Sequence, residues 1–142
     1  MLYFNSNGKC KVKNEKLLYF CSCMKANNVI HNKSYSFALR IIKMFQFIVR
    51  QHKEYVLSKQ ILRSGTSIGA LIKESEHAQS HADFINKMNI ALKEANETRY
   101  WLSLLKDSGY LEDKLFNSMH DDCSELVSIL VSIVKTAKNN KK

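Results

Sequence analysis

The stretch "ILRSGTSIGALIKES", residues Ile61–Ser75, decides how this chain folds. It contains two of the four glycines in a chain of 142 residues that has no proline. Read as a helix, it places three isoleucines and one glycine on the same side: Ile61, Gly65, Ile68 and Ile72. Small residues on such a side let a neighbouring helix approach closely. The stretch therefore predicts a helix with one tightly packed face.

A phosphate-binding loop is the alternative interpretation of the same glycines. Such a loop follows a strand and ends in Gly-Lys followed by Ser or Thr. Here Gly69 is followed by Ala70 and Leu71, and no strand pattern precedes the stretch. A glycine inside a helix costs roughly 1 kcal/mol relative to alanine, and close packing is the compensation that we expect.

The composition favours long helices in a single domain. Apolar residues make up 45% and charged residues 25% of the chain, as in ordinary globular domains. The lack of proline and the scarcity of glycine disfavour a sheet with many hairpins. Four helical segments can be read, and we expect an all-α, antiparallel up-and-down four-helix bundle: Ser34–Gln51, Ser58–Ala78, Ser80–Gly109 and Glu112–Lys138.

Several residues predict where these helices begin and end. Ser58 is a plausible N-cap of the second helix. Ser80 and Asp83 have the spacing of a capping box at the start of the third helix, and Gly109 suits its C-terminal end. The first helix carries apolar residues on two sides, which predicts burial on more than one side. One side holds Tyr35, Leu39, Ile42, Gln46 and Val49, and the other holds Phe37, Met44 and Ile48.

The first 23 residues differ in character from the rest, because they show neither a sustained helical period nor a capping signal. We expect residues 1–23 to be a non-native or disordered extension, with Met24 as the natural start of a bundle over residues 24–142. Cys21 and Cys23 form CxC rather than the CxxC of zinc and redox sites. We therefore expect reduced thiols and a cytoplasmic location.

The net charge of +9 suggests an anionic partner, although a basic protein without such a partner fits equally well. Arg40, Lys43 and Arg50 fall near one another on the first helix, with Phe47 between them, and Lys59 and Arg63 are spaced i, i+4 on the second. Basic rows of this kind can follow a phosphate backbone, with the aromatic ring available for stacking. A solvated helix face is the alternative for each row.

Nothing in the chain argues for catalysis, a metal or a cofactor. Glu74-x-x-His77 is half of a di-iron motif, but the second half is missing. Glu94 and Glu97 are more often a solvated or subunit-contacting face than an acid/base pair. Cys123 lies close to the apolar stripe of the last helix, where a thiol acts as a small hydrophobe. We expect no enzyme.

Four segments together resemble one bacterial protein family. They read "SYSFALRI" (34–41), "LSKQILRSGTSIGALIKES" (57–75), "ADFINKMNIALKEANETRYWL" (82–102) and "ELVSILVSIVKTAK" (125–138). The family is the four-helix-bundle protein encoded by intervening sequences in 23S ribosomal RNA genes. The resemblance is most specific in "RSGTSIGA" and "IALKEANETRYWL". The family usually has Asn after the first of these segments, where this chain has Leu71.

The resemblance implies a left-handed antiparallel bundle that forms homopentamers. A related protein, the accessory variability determinant of diversity-generating retroelements, forms a basic pentameric barrel that binds nucleic acid and a reverse transcriptase. We expect a non-enzymatic homo-oligomer that binds RNA or another nucleic acid. The residues expected to contact phosphate are Arg40, Lys43, Arg50, Lys59 and Arg63. A second stripe of the third helix is expected at the subunit interface, or else to cover the core: Ile90, Glu94, Glu97 and Trp101. A scaffold that recruits a partner protein without binding nucleic acid is the alternative function.

Overall fold

A computed structural model describes residues 28–140 in full, the helical backbone of residues 15–27, and two short strands. The strands, β1 (Tyr3–Phe4) and β2 (Cys10–Lys11), pair antiparallel. Four helices follow: α1 (Glu15–His52), α2 (Leu57–Ser75), α3 (His81–Asp107) and α4 (Asp113–Asn139). α1 therefore begins well before the predicted Ser34. The side chains of the predicted extension, residues 1–23, are not among those that the structure describes. The division of the chain into this extension and the bundle therefore stays a prediction.

The helices form an all-α up-and-down bundle, as predicted. Each helix packs against the next, and α1 closes the ring against α4. Contacts across each seam run in opposite directions along the two helices. In the α2–α3 seam, for example, Arg63 faces Glu97 while Glu74 faces Lys87. Neighbouring helices are therefore antiparallel, and the stripe predicted for α2 points into the common core.

A close approach in the core joins α1 to α2 at Gly65. A β-carbon built on Gly65 would lie 2.8 Å from Cγ1 of Ile41 and 3.0 Å from its Cδ1. Ile41 is fully buried and fills the space that a side chain at Gly65 would need. The prediction from the glycine spacing is confirmed at this position. Gly69 is different, because a β-carbon there would meet Ser34 only at 3.6 Å, an ordinary contact distance.

Within the single chain, the described part of α1 (residues 28–52) is buried on one side only. Its core side consists of residues that are at most 3% exposed: Ile30, Phe37, Ile41, Met44 and Ile48. The opposite apolar side faces solvent, and the exposed fractions are 67% for Tyr35, 45% for Leu39 and 37% for Ile42. The predicted burial of α1 on more than one side is thus not achieved by one chain alone.

The N-terminus of α2 is capped by Glu54 and not by Ser58, so the predicted cap was wrong. The Glu54 carboxylate accepts hydrogen bonds from the backbone N–H groups of Val56, Leu57 and Ser58, each at 2.8 Å. Ser58 lies inside the helix, fully buried, and its hydroxyl donates to the Glu54 carbonyl at 2.7 Å. The chain reaches this arrangement through Lys53, which has a positive φ of 54°.

The predicted ends of α3 are confirmed. The Ser80 hydroxyl accepts a hydrogen bond from the Asp83 N–H at 3.0 Å. The Asp83 carboxylate accepts from the N–H of Gln79 at 3.1 Å, one residue earlier than a reciprocal capping box requires. After α3, Gly109 adopts a φ of 82°, a conformation that glycine reaches without strain.

Replacing the two α2 glycines by alanine separates close packing from helix propensity. Both substitutions remove about 1 kcal/mol of helix cost. Only Gly65→Ala forces a methyl group into Ile41, and overpacking of this kind costs about 1–3 kcal/mol. We expect G65A to be less stable than G69A by that amount in urea unfolding at matched protein concentration. Equal stabilities would contradict the packing described here.

The Glu54 cap makes a prediction about acid stability. Partial burial alone would raise the pKa of Glu54, but the hydrogen bonds from Leu57, Ser58 and Val56 together lower it. The cap is fully present above the unfolded pKa of about 4.3 and is lost as the pH falls through the lower folded value. Glu54→Gln should lower the free energy of unfolding by about 1 kcal/mol at neutral pH. It should also reduce the loss of stability that the wild type shows on acidification, because glutamine does not titrate.

Glu112→Gln is the matched control for Glu54→Gln, and the free energy of unfolding is measured against pH for both variants. Glu112 stands at the N-terminus of α4 but makes no capping hydrogen bond with its side chain. Glu112→Gln should therefore leave the free energy of unfolding within about 0.5 kcal/mol of the wild-type value. A loss at Glu112 as large as that at Glu54 would show that the effect is general helix-terminus electrostatics and not the three-bond cap.

Candidate nucleic-acid interface

Two of the five predicted phosphate-binding residues are held in ion pairs within the subunit. Arg40 donates hydrogen bonds to the Asp122 carboxylate and, at 2.8 Å, to the Ser118 hydroxyl, which ties α1 to α4. Arg63 donates to the Glu97 carboxylate and lies 3.4 Å from that of Glu94, which ties α2 to α3. Both guanidinium groups thus serve helix seams, and their charge is largely neutralised.

The other three predicted residues are free to meet an anion. Lys43, Arg50 and Lys59 are exposed and make no ion pair with any residue of the described bundle. Lys43 and Arg50 stand on one side of α1, one helical turn before and after Phe47. The structure therefore leaves this smaller set, rather than all five, as the candidate phosphate contacts.

Most of the excess positive charge lies outside residues 28–140. Residues 28–140 contain 15 Lys and Arg against 12 Asp and Glu. Residues 1–27 add five lysines and one glutamate, and residues 141 and 142 are both lysine. Residues 28–140 are therefore only weakly basic, so anion binding there depends on where their free cations are grouped.

The stripe predicted as a subunit interface on α3 is largely occupied by internal contacts. The indole of Trp101 donates a hydrogen bond to the Glu97 carboxylate at 3.1 Å, and the ring packs against the core. This bond, with the one from Arg63, lowers the pKa of Glu97, although partial burial acts in the opposite direction. The Glu94 carboxylate also lies against Arg63, while Ile90 is 37% exposed. The stripe therefore joins α3 to α2, and its role between subunits stays a prediction.

A buried hydroxyl pair lies behind this ion cluster. The Thr98 hydroxyl, fully buried on α3, is 3.0 Å from the Ser64 hydroxyl on α2. Each hydroxyl also lies within hydrogen-bond distance of a carbonyl of its own helix. Sequence reasoning missed this pair, although both residues fall beside core stripes, because the partner of a buried hydroxyl depends on the neighbouring helix.

An exposed apolar surface of the described bundle lies on α1 and α2. On α1 it consists of the exposed Tyr35, Leu39 and Ile42. Beside them a groove of about 380 Å³ runs between the two helices, and its lining is mostly apolar. The residues that line the groove are small in the middle and polar at one end: His31, Ser34, Tyr35, Ala38, Thr66, Gly69, Ala70 and Lys73. We call this surface, formed by the groove with Leu39 and Ile42, the α1–α2 face.

Cys123 and Glu74, which were considered above for catalysis or metal binding, make contacts within the bundle. Burial raises the pKa of the Cys123 thiol to about 12, and its sulfur lies 3.3 Å from the carbonyl of Ala95. Glu74 pairs with Lys87 at 2.9 Å. Within the described residues, no group of three or more His, Cys, Asp or Glu side chains is placed to hold a metal ion. No described helix is both long and apolar enough to cross a membrane.

This bundle is similar to known proteins in sequence and in structure. The family model described as "23S rRNA-intervening sequence protein" matches residues 26–132, which is most of the chain. A crystal structure from Bacteroides thetaiotaomicron, of a protein of unknown function from the S23 ribosomal protein family, is 55% identical with a TM-score of 0.77. The match covers 78% of this chain and 98% of that one. No curated protein matches the chain. The chain belongs to the 23S rRNA-intervening sequence protein family.

Proposed function

We propose that this protein is a non-enzymatic, homo-oligomeric bundle that assembles through the α1–α2 face and binds RNA or another nucleic acid. The observation that carries the proposal is the exposure of Tyr35, Leu39 and Ile42 at successive turns of a helix whose other side is fully packed. A helix face that remains in solvent does not require apolar residues at helical spacing. The second apolar stripe of α1 therefore indicates a partner that covers it.

A second copy of the chain is the partner that we favour. The apolar stripe, continued by the half-buried Val49, spans about 20 Å of α1 at 1.5 Å per residue. A stable interface buries roughly 800 Å² per partner, and in the proposed assembly the stripe and the groove would provide this area together. Small residues such as Gly69 and Ala70 at the groove floor would let another helix approach closely. The family resemblance supports a closed ring of five subunits.

Assembly also bears on nucleic-acid binding. Lys43 and Arg50 stand on one side of the apolar stripe of α1, and Lys59 projects from the outer surface of α2. Three free cations bind a phosphate backbone weakly in one subunit. A ring presents the set once per subunit, so that contacts after the first form at a high effective concentration. We also propose a cytoplasmic location, where a free thiol such as the buried Cys123 stays reduced.

A protein-interaction scaffold without nucleic-acid binding is the second candidate. The near balance of charge over residues 28–140 favours it, as does the use of Arg40 and Arg63 within the subunit. The two candidates differ in one measurable respect. Only the nucleic-acid function requires affinity for RNA that depends on Lys43, Arg50 and Lys59 and falls with salt.

Placing a charge on the α1–α2 face should break the assembly. Leu39→Glu or Ile42→Glu would bury a carboxylate in an apolar interface, which is strongly unfavourable. We expect each variant to remain folded by circular dichroism, because both side chains are exposed in the single chain, and to give the mass of one chain by light scattering. Wild-type protein should give a multiple of that mass.

Val131→Glu is the matched control for this experiment. Val131 is 46% exposed, which equals the exposure of Leu39 within one per cent, but it stands on α4 beside Ser128 and Lys135. This variant should keep the wild-type subunit number. The proposed face is wrong if Leu39→Glu also keeps that number, or if Val131→Glu dissociates the assembly just as completely.

Reversing the free cations should weaken RNA binding. For a single strand the logarithm of affinity falls with the logarithm of salt concentration by about 0.7 per phosphate contact. Replacing Lys43, Arg50 and Lys59 together by Glu should lower affinity at low salt by at least about tenfold and reduce that slope by about 2. Fluorescence anisotropy with a labelled single-stranded RNA at two salt concentrations measures both quantities.

A triple variant with the same change in net charge serves as control. Lys93, Lys114 and Lys135 are exposed, and within residues 28–140 they too make no ion pair. Their replacement by Glu should reduce affinity much less. Equal losses in the two triple variants would indicate that only net charge matters. Wild-type protein that ignores RNA even at low salt would leave the scaffold as the better proposal.

A further inference from the structure

An aromatic cluster joins the end of α1 to the loop between α3 and α4. The Phe47 ring is 46% exposed, and its centroid lies 6.3 Å from that of His52, with the planes at 78°. The His52 ring in turn lies 5.4 Å from that of Tyr110, at 81°. Tyr110 packs against the core. Edge-to-face contacts of this kind hold Phe47 against a fixed support while leaving much of its surface open.

Free cations stand on both sides of the exposed ring. Lys43 precedes Phe47 by four residues and Arg50 follows it by three, so both lie on the same side of α1. Neither makes an ion pair within the described bundle. The arrangement along the helix is therefore cation, aromatic ring, cation.

The carboxylates at this end of the bundle do not neutralise these two cations. Glu54 is bound to the backbone of α2, and Asp113 lies 3.7 Å from Lys106. Asp107 and Glu112 are exposed at the α3–α4 loop. They would repel a phosphate on the Tyr110 side of the cluster. A bound anionic chain would therefore run along α1 rather than over that loop.

We propose that Phe47, braced by His52 and Tyr110, is a stacking site for an unpaired base of a single-stranded nucleic acid. Lys43 and Arg50 would bind phosphates on either side of the stacked base. Alternation of cations with an aromatic ring is the arrangement by which proteins hold single strands without reading their sequence, because every base has a π-face. The proposal rests on the proposed nucleic-acid binding and names the strand type that it would select.

A duplex would not use this site in the same way. Its bases are stacked on one another, and their faces are not available to Phe47. Double-stranded RNA is recognised through its backbone and groove shape, whereas splayed bases of single strands stack on aromatic side chains. The ring should therefore contribute to binding of unpaired segments, while the cations contribute to both.

A second exposed aromatic pair provides a contrast within the same molecule. Tyr100 is 58% exposed, and its ring makes an edge-to-face contact with Trp101 at 5.2 Å. The residues one turn before and after Tyr100 on its own helix are Asn96, Glu97, Ser103 and Leu104, none of which is cationic. Tyr100 thus matches Phe47 in exposure and ring contact but lacks the flanking charges.

The test measures binding of short labelled oligonucleotides to the full chain by fluorescence anisotropy. The probes are a single-stranded RNA of about 12 nucleotides, which is within the range covered by one small binding domain, the DNA of the same sequence, and the matching RNA duplex. The variants are Phe47→Ala, Phe47→Leu, Phe47→Trp and, as control, Tyr100→Ala. Circular dichroism and light scattering check that each variant keeps the fold and subunit number of the wild type.

Phe47→Ala and Phe47→Leu should each weaken single-strand binding by roughly 5- to 100-fold, the loss typical of one stacked base. The salt dependence should stay unchanged, because no phosphate contact is removed. Phe47→Trp should retain affinity, and Tyr100→Ala should bind like the wild type. Duplex binding should change less than twofold in every variant. Comparison of RNA with DNA shows whether the 2′-hydroxyl contributes.

Three other outcomes would overturn the inference, and the third can be told apart from the first two. Salt-dependent binding by the wild type that is the same in Phe47→Ala would refute the stacking site while leaving the proposed nucleic-acid function in place. So would a loss in Phe47→Ala that is equal for duplex and single strand. Absence of binding to all three probes, even at low salt, would refute both the stacking site and nucleic-acid binding by this chain.

Discussion

The contact of Ile41 with Gly65 is the constraint on which the arrangement of the bundle depends. α2 offers no side chain at this point, and Ile41 of α1 fills the space completely. A helix that inserts one residue into such a gap cannot rotate about its axis without losing the contact. The rotational setting of α1 is therefore fixed. Phe37, Met44 and Ile48 turn inward with Ile41, and the other apolar side turns outward.

The rotation of α1 about its axis determines which of its two apolar sides faces solvent. Tyr35, Leu39 and Ile42 are exposed beside a groove whose floor includes the second glycine, Gly69, for which the single chain shows no packing need. The same rotation carries Lys43, Phe47 and Arg50 to the open surface. One close contact in the core thus sets both the proposed assembly face and the proposed nucleic-acid site.

The sequence was sufficient to predict the fold class, the core stripe of α2 and the ends of α3, because these depend on local spacing and on caps such as Ser80 and Gly109. It could not separate the two apolar sides of α1, since either could face the core until Ile41 met Gly65. It also could not assign the partners of Arg40 and Arg63. Cross-helix ion pairs depend on the rotation and register of two helices at once, and spacing along one helix contains no information about them.

The family match and the crystal structure of the relative support the bundle but leave its use open, since that relative is itself described as having unknown function. Charge is the weaker guide to that use, because the bundle over residues 28–140 is nearly balanced. Apolar exposure is the stronger guide. A partner that covers the α1–α2 face would explain both the stripe on α1 and the glycine at the groove floor.

The most direct test is the solution mass of the wild-type full chain, measured by sedimentation velocity over a wide range of protein concentrations. If a second copy covers the α1–α2 face, the chain should sediment as one species with several times the mass of a single chain. That species should persist at the lowest concentration at which the protein can be detected. A single-chain mass at every concentration would contradict self-assembly through this face.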